Sequence, residues 1–362
     1  MSRRTVGIVG GGQLARMLAL AGYPLGLRFK VLDPKPEACA GILCDHICAP
    51  YDDLDALSRL AEGCDVVTYE FENVSAEALD HLSRRVTVYP PPSALKISRD
   101  RLTEKRHFQK LDIPTPPYLP ISDLEDLLGA PKKIGWPVVV KTRRFGYDGK
   151  GQFVASTLQE LEGAWRAVGE QPLIAEAFIP FDREVSIVAV RGLRGETAFY
   201  PLNENHHREG ILFKTRPRPN DPAFETARSY AERLLESFGY VGVLALELFE
   251  VKGRLFANEM APRVHNSGHW TIDGAETSQF ENHLRAILGY PLGPTDPIRP
   301  VVMVNLIGAI PDPEDLLKIP GAHLHDYDKS PRPGRKVGHV NLVAPTEELL
   351  EERLQKLLHL LP

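Results

Sequence analysis

The sequence has little cysteine and no long apolar run, and both absences restrict the kind of protein it encodes. The 362 residues include four cysteines, Cys39, Cys44, Cys48 and Cys64, and no two of them form a CxxC pair. This spacing does not predict a zinc site or a disulfide framework, and it favours buried, reduced thiols of an intracellular protein. No apolar run approaches the ~18 residues of a membrane span, and the first residues lead into a strand rather than a signal peptide. We therefore expect a cytoplasmic protein without a membrane partner.

Excess positive charge and the Walker motif GK[ST] are also absent. The formal net charge is −5 at pH 7, so nothing favours a nucleic-acid partner, and any anion site has to be a local cluster of Lys and Arg. Hydrophobic residues make up 43% of the chain and charged residues 25%, which is ordinary globular composition. A chain of this length predicts two or three domains.

The first part of the chain alternates strands and helices. Strands are predicted at 5–9, 29–32, 65–69 and 86–88, and a helix at 13–21. This βαβ pattern predicts a parallel, Rossmann-like sheet, and three prolines at 90–92 indicate a domain boundary, giving a first domain at 1–93. Ligands of such sheets bind beyond the carboxyl ends of the strands, where 10–12 and 70–73 fall.

The remainder predicts an α+β arrangement with a mainly antiparallel sheet. A second domain is expected at 94–295, with a lid around 115–176, and a small C-terminal domain at 296–362. The predicted helices are 99–111, 221–238 and 346–361; the predicted strands are 137–141, 184–190 and 301–306, with a hairpin at 241–259.

Two glycine clusters are candidate phosphate sites. Gly10 to Gly12 precede the first helix, whose N-terminal amides favour an anion, and Asp33 follows the second strand as a ribose-binding acid would. A tight βα turn that needs small residues explains the same glycines equally well. The segment from Lys141 to Gln152 combines three glycines with several cations, which favours phosphate binding over a solvated hairpin turn.

The hairpin carries the clearest signal. Glu247 lies among apolar residues of its strand, and it faces Asn258 if the turn has two residues or Glu259 if the loop has three. Either register places two carboxylates and an amide oxygen on neighbouring rungs, and such an all-oxygen set suits Mg²⁺. The loop that follows contains Arg263 and His265, and we expect reacting groups to converge there.

Several motifs resemble those of the 5-(carboxyamino)imidazole ribonucleotide synthetases, ATP-grasp enzymes of purine biosynthesis. They are GGQLARM from Gly11, DRLTEK from Asp100, GYDGKGQ from Gly146, NEMAPRVHNSGHW from Asn258 and RPGRKVGH from Arg332. The resemblance extends from the first strand to about residue 345, and Ala15 stands where the family often has glycine.

The resemblance implies an ATP-grasp fold and a reaction of ATP, bicarbonate and 5-aminoimidazole ribonucleotide. The implied ATP contacts are Arg101, Lys141, Gly146, Tyr147, Asp148, Gly149, Lys150, Gly151, Gln152, Glu176, Ala177, Phe178, Ile179, Glu184, His207, Asn258 and Glu259. The implied Mg²⁺ ligands are Glu247 and Glu259, with Asn258 beside them. Lys141 would neutralise phosphate charge, while Arg263 and His265 would orient bicarbonate and its adduct. Bicarbonate would form carboxyphosphate, and the amine would attack either that intermediate or CO₂ released from it.

The ribonucleotide needs a second anion site, because both substrates are bound together. We expect it to use Gly12, Gln13, Leu14 and Glu70 together with the basic tail, whose cations are Lys329, Arg332, Arg335 and Lys336; Tyr147, Arg263 and His265 complete the predicted set. The family also implies a homodimer and a transient hand-off of product to the following mutase.

Three other functions fit parts of the sequence. A formate-using glycinamide ribonucleotide transformylase would share the glycine turn and the acidic hairpin, but not the HNSGHW loop or the basic tail. A nicotinamide oxidoreductase rests only on the first glycine cluster and Asp33. A non-catalytic nucleotide-binding regulator gives no reason for the pair Glu247 and Glu259.

Overall fold

The computed structural model describes residues 3–72, 74–144, 146, 151–168 and 171–361. Among these residues, no helix is both long enough and apolar enough to cross a membrane.

The N-terminal unit is a parallel sheet with the strand order β3-β2-β1-β4. Its strands are β1 (Thr5–Val9), β2 (Arg28–Leu32), β3 (Asp45–Ile47) and β4 (Val66–Tyr69), and its helices are α1 (Gln13–Gly22), α2 (Leu54–Ala61) and α3 (Ala76–Ser83). The predicted parallel sheet is therefore present. The predicted strand at 86–88 is wrong, since only Val88 forms a parallel bridge, to Val67. The short strand β3 was not predicted, because its three residues include Asp45 and His46 and are only partly buried.

Two helices then lead into a small antiparallel sheet. They are α4 (Pro92–Ser98) and α5 (Arg101–Lys110). The sheet has the order β5-β8-β6-β7, from β5 (Tyr118–Ile121), β6 (Val138–Thr142), β7 (Gln152–Ala155) and β8 (Leu173–Ala177). Helices α6 (Leu124–Gly129), α7 (Pro131–Ile134) and α8 (Leu158–Ala167) accompany it, and its apolar face forms a core of its own with Leu161 and Trp165.

The largest sheet in the described part of the chain has nine strands, in the order β14-β13-β9-β11-β12-β15-β17-β16, with β10 paired to β9. The strands are β9 (Arg183–Arg191), β10 (Thr197–Phe199), β11 (Leu202–Arg208), β12 (Ile211–Arg218), β13 (Gly242–Val251), β14 (Arg254–Ala261), β15 (Val301–Ile307), β16 (Ala322–Asp326) and β17 (Lys336–Val343). Helices α9 (Phe224–Ser237), α10 (Thr271–Gly274), α11 (Gln279–Leu288), α12 (Pro313–Leu317) and α13 (Glu347–Leu360) follow in chain order.

The strands after residue 296 belong to this same sheet. β15 pairs with β12 through Lys214↔Val304 and Thr215↔Met303, so the C-terminal segment extends the central sheet. Helix α13 packs on it through Leu350, Leu354 and Leu357, which are buried. The predicted division at 93/94 and 295/296 stays a prediction.

Candidate active site

A cleft of about 640 Å³ lies where the three predicted segments meet, and most of the predicted site residues line it. Those residues are Gln13, Leu14, Glu70, Arg101, Lys141, Gly146, Gln152, Glu176, Ala177, Phe178, Ile179, Glu184, His207, Glu247, Asn258, Glu259, Arg263, His265 and Lys336. Gly12, Gly151, Lys329, Arg332 and Arg335 are not among the lining residues. Tyr147, Asp148, Gly149 and Lys150 lie outside the described residues.

The hairpin β13–β14 presents two carboxylates to the cleft, and the pairing of its residues differs from the predicted pairing. Its turn has two residues, since Val251 pairs with Arg254, and that register alone would place Glu247 opposite Asn258. A bulge shifts the pairing, so that Glu247 faces Glu259 while Leu248 faces Ala257. The predicted link between loop length and register is therefore wrong, because a β-bulge inserts one extra residue into a strand.

One oxygen of each carboxylate contacts a nitrogen atom of a basic side chain. Glu247 Oε1 lies 2.9 Å from His265 Nε2, and Glu259 Oε2 lies 2.6 Å from Arg101 Nη1. Burial alone would raise the pKa of Glu247, but the hydrogen bond and charge of His265, with His207 and Lys336, lower it to about 2. Glu247 is therefore an anion at neutral pH, as a metal ligand has to be.

Hydrogen bonds to its backbone and a contact to its ring hold His265 in position. Its amide donates to Gln279 Oε1 at 2.9 Å, and Gln279 Nε2 donates to its carbonyl at 2.6 Å. The ring Nδ1 lies 2.9 Å from Ser267 Oγ, which leaves Nε2 directed at Glu247. Gln279 is fully buried and was not predicted, since it lies on α11, away from every recognisable motif.

Lys141, at the end of β6, has acidic and amide partners. Its Nζ lies 3.0 Å from Glu176 Oε2 and 3.4 Å from Asn258 Oδ1. Burial would raise the pKa of Glu176, but the charges of Lys105 and Lys141 lower it to about 2. These contacts hold Lys141 between the small sheet and the hairpin, where it lines the cleft.

Two further pairs complete the wall of the cleft. His207 Nδ1 lies 2.8 Å from Glu184 Oε2; burial lowers the pKa of His207, but the contact with the Glu184 carboxylate and its charge outweigh burial and raise it above its ordinary value. Arg263 Nη2 lies 2.6 Å from Glu72 Oε1, which falls within the segment 70–73 predicted at the ligand-binding edge of the parallel sheet. Arg263 Nε is buried without a hydrogen-bond partner among the described residues.

The first glycine turn binds carboxylates of the protein itself. The amides of Gly12 and Ala15 donate to Glu70, the latter at 2.9 Å, and the amide of Gly11 donates to Asp33 Oδ2 at 2.9 Å. A Cβ on Gly12 would lie 2.6 Å from Glu70 Oε1, so the turn needs glycine for this close approach. The expectation that the Gly12 amide is available to a substrate differs from the structure, because Glu70 accepts from it.

The basic tail lines the cleft at Lys336 and contacts one of its lining residues, Gln13, through Lys329. Lys329 Nζ donates to Gln13 Oε1, and Lys336 Nζ donates to Asn266 Oδ1 at 3.3 Å. Arg335 Nη1 donates to the carbonyl and hydroxyl of Ser330, both at 3.1 Å, which shapes the loop between β16 and β17. Arg332 is exposed on this loop.

The metal prediction can be tested against the donors present. No group of three or more His, Cys, Asp and Glu side chains in the described residues is arranged to hold a metal by itself. Glu247, Glu259 and Asn258 are an all-oxygen set on neighbouring rungs, and Mg²⁺ takes one or two carboxylates plus nucleotide phosphates. The residues present therefore fit a Mg²⁺ ion that arrives with a nucleotide.

Comparison with known families and structures agrees along the whole chain. Residues 3–99 match the ribonucleotide synthetase preATP-grasp domain, 106–280 the ATP-grasp domain, and 301–353 the phosphoribosylaminoimidazole carboxylase C-terminal domain. These matches confirm the predicted ATP-grasp fold with an N-terminal parallel-sheet unit.

Three similar proteins are named as N5-carboxyaminoimidazole synthases or synthetases. The N5-carboxyaminoimidazole ribonucleotide synthase of Pseudomonas aeruginosa is 50% identical over 96% of this chain and 97% of its own length. The crystal structure of the synthetase from Thermus thermophilus is 55% identical, covers 98% of both chains and has a TM-score of 0.94. A synthase from Aspergillus clavatus, in complex with ADP and 5-aminoimidazole ribonucleotide, is 31% identical over 99% of this chain and 98% of its own, with a TM-score of 0.92. The chain therefore belongs to the N5-carboxyaminoimidazole ribonucleotide synthase family of ATP-grasp ligases.

Proposed function

We propose that this ligase carboxylates the amine of 5-aminoimidazole ribonucleotide with bicarbonate, giving 5-(carboxyamino)imidazole ribonucleotide, ADP and phosphate in purine biosynthesis. One observation carries the proposal: the buried Nε of Arg263, which has no hydrogen-bond partner among the described residues, lies in the same cleft as the pair Glu247 and Glu259. Such a donor is costly unless an acceptor reaches it, and an anionic substrate supplies one. The ligands printed for the Aspergillus relative, ADP and 5-aminoimidazole ribonucleotide, support the same pair of substrates.

ATP is assigned to the part of the cleft between the small sheet and the hairpin. Lys141, Arg101 and His207 provide positive charge there, and β8 ends at Glu176 and Ala177, followed by Phe178 and Ile179. Gly146, Gly151 and Gln152 flank the predicted phosphate loop, and Glu184 pairs with His207. The phosphates of ATP would thus lie near cations, and the adenine base would lie near the end of β8.

Glu247, Asn258 and Glu259 are the residues that would hold Mg²⁺. The ion would supply electrostatic stabilisation of the phosphate oxygens during transfer. At the same place, Arg101 contacts Glu259 and His265 contacts Glu247.

The chemistry proceeds by transfer of a phosphoryl group and then of a carboxyl group. A bicarbonate oxygen attacks the γ-phosphorus, the bond to the β-phosphate oxygen breaks, and carboxyphosphate and ADP result. The amine then forms the C–N bond with the carboxyl carbon, phosphate leaves, and the amine loses a proton. Arg263 and His265 are assigned to orient bicarbonate and stabilise the anions that form.

The ribonucleotide is assigned to the end of the cleft near α1. Because Glu70 already places negative charge on the amides of Gly12 and Ala15, a second anion there would be repelled. We therefore assign the substrate phosphate to Lys329, Arg332, Arg335 and Lys336, and the ribose or ring groups to Glu70, Gln13 and Leu14.

The proposal extends to the setting of the enzyme. We propose a homodimer working in the cytoplasm with domains at 1–93, 94–295 and 296–362, and a transient hand-off of the product to the mutase that follows. The four free cysteines support a reducing compartment, and the family matches at 3–99, 106–280 and 301–353 support a division into three domains.

An ADP-release assay tests the reaction directly. ADP should form when ATP and bicarbonate are supplied with 5-aminoimidazole ribonucleotide, and only at background level with glycinamide ribonucleotide and formate. Preference for the second pair would replace the proposal with the sister transformylase.

A further inference from the structure

Helix α5 buries two consecutive charged residues at the cleft, of which Glu104 is among the lining residues and Lys105 is not. Glu104 and Lys105 are each 1% exposed. Burying a charge is costly unless it is paired and hydrogen-bonded, so the partners of these side chains indicate what they do. Lys105 Nζ donates to the carbonyl of Ala257 at 3.1 Å, and Glu104 Oε1 accepts from the amide of Met260 at 2.8 Å.

Those two backbone groups flank the bulge of β14. Successive residues of a regular strand point to opposite faces, yet Asn258 and Glu259 both line the cleft. The bulge makes this possible, because Asn258 is the extra residue between the pairs Glu247↔Glu259 and Leu248↔Ala257. Helix α5 therefore holds the backbone on both sides of Asn258 and Glu259.

Lys105 also reaches the opposite wall of the cleft. Its Nζ lies 3.5 Å from Glu176 Oε2 on β8, the same oxygen that lies 3.0 Å from Lys141 Nζ. β8 belongs to the small sheet, whereas Ala257 belongs to the nine-stranded sheet. One buried ammonium group thus connects the two sheets between which ATP is assigned.

We propose that Lys105 is a positioning residue for the nucleotide site, which fixes the bulge at Asn258 and the Glu176–Lys141 pair relative to each other. The inference rests on the proposed function, since it assigns the nucleotide to this cleft. Lys105 does not line the cleft, so it acts through Asn258, Glu176 and Lys141 and not by touching ATP.

Replacing Lys105 with methionine keeps an unbranched side chain of similar length and removes the charge and the donors. The carbonyl of Ala257 then lacks its side-chain partner. Of the two lysines that contact Glu176, only Lys141 remains. We expect the bulge to relax and Lys141 to be drawn toward Glu176, so nucleotide affinity falls. The ribonucleotide end of the cleft is unaffected, because none of its assigned residues contacts Lys105.

Calorimetric titration with ADP, in the presence and absence of Mg²⁺, measures this without turnover. Lys105→Met should weaken ADP binding by about tenfold or more, equivalent to about 1.4 kcal/mol. The Michaelis constant for 5-aminoimidazole ribonucleotide should stay at the wild-type value while that for ATP rises. Lys110→Met is the matched control, since it removes the same group from the exposed side of the same helix and should bind ADP as the wild type does.

Lys105→Gln, which keeps a donor but not the charge, is the second variant and should give an intermediate ADP affinity. Wild-type ADP affinity in either folded variant would overturn the proposal, as would an equal loss for both substrates. If neither variant folds, Lys105 is a stability residue and the proposal is wrong. Failure of the proposed function would look different, because wild-type protein would then release no ADP with 5-aminoimidazole ribonucleotide and bicarbonate, whereas the ADP affinities of the Lys105 variants would still be measurable.

Discussion

Glu247 and Glu259 face each other across the β13–β14 hairpin, although the two-residue turn alone would set Glu247 against Asn258. The bulge that produces this pairing brings both carboxylates and Asn258 to one cleft. Facing carboxylates repel unless a positive charge or a proton lies near. In the protein, Arg101 Nη1 contacts Glu259 and His265 Nε2 contacts Glu247.

Glu259→Gln should abolish most Mg²⁺-dependent ADP formation while the protein stays folded. The substitution keeps the size of the side chain but removes one anionic ligand, and a fall of about 10²-fold or more is expected. The Arg101–Glu259 pair is partly exposed, so thermal stability should change by no more than about 1 kcal/mol. Glu352→Gln, which loses an exposed ion pair to Lys356, is the control. Near-wild-type turnover at ordinary Mg²⁺ would show that Glu259 is not a ligand.

His207 should make the free energy of unfolding depend on pH. Glu184 raises the pKa of His207 in the folded state, so protonated His207 contributes stability below the ordinary value of about 6.5 and loses it as pH rises through the raised value. His207→Gln should therefore destabilise the protein by up to about 1 kcal/mol at about pH 6 and have little effect at about pH 9.

Urea unfolding of His207→Gln at both pH values, compared with the exposed His359→Gln, checks this dependence. A loss of equal size at both pH values would mean that His207 contributes packing and not charge.

Gly12→Ala should damage stability and ribonucleotide binding together. The new methyl group would lie 2.6 Å from Glu70 Oε1 and displace the carboxylate from the helix N-terminus, at a cost of about 1–3 kcal/mol. Gly163→Ala is the contrasting variant, because the site on α8 is open and alanine favours helix by about 0.5–1 kcal/mol. An unchanged melting temperature of Gly12→Ala would show that the position of the Glu70 carboxylate does not depend on this close contact.

Arg335→Ala should raise the Michaelis constant for 5-aminoimidazole ribonucleotide by about tenfold, which corresponds to about 1.4 kcal/mol. The constant for ATP should not change, because the hydrogen-bond partner of the Arg335 side chain among the described residues is Ser330 on the tail and none of the residues assigned to ATP. Lys356→Ala on α13 removes a comparable surface charge as the control. An equal rise in both Michaelis constants, or no rise in either, would show that the tail does not bind the ribonucleotide.

The sequence predicted the elements with strong local patterns and missed the features that depend on distant partners. β1 was predicted with its observed bounds, because five apolar or small residues precede the glycine turn. The bulge at Asn258 was not, since the alternation of β14 looks regular until its neighbour is known. The burial of Lys105 could not be predicted from the sequence either. The residues of α5 are typical of a polar, solvated helix, and Lys105 is buried only because β8 and β14 pack against this helix.

The central claim is that bicarbonate attacks the γ-phosphate of ATP in this cleft before the amine is carboxylated. Turnover with bicarbonate labelled uniformly with ¹⁸O, followed by mass analysis of the inorganic phosphate, tests it most directly. Attack of bicarbonate on the γ-phosphate predicts that each phosphate released carries one oxygen derived from bicarbonate. It also predicts that ADP and carboxylated ribonucleotide form in equal amounts. Product formation accompanied by unlabelled phosphate would contradict it, because the oxygen that joins phosphorus would then not have come from bicarbonate.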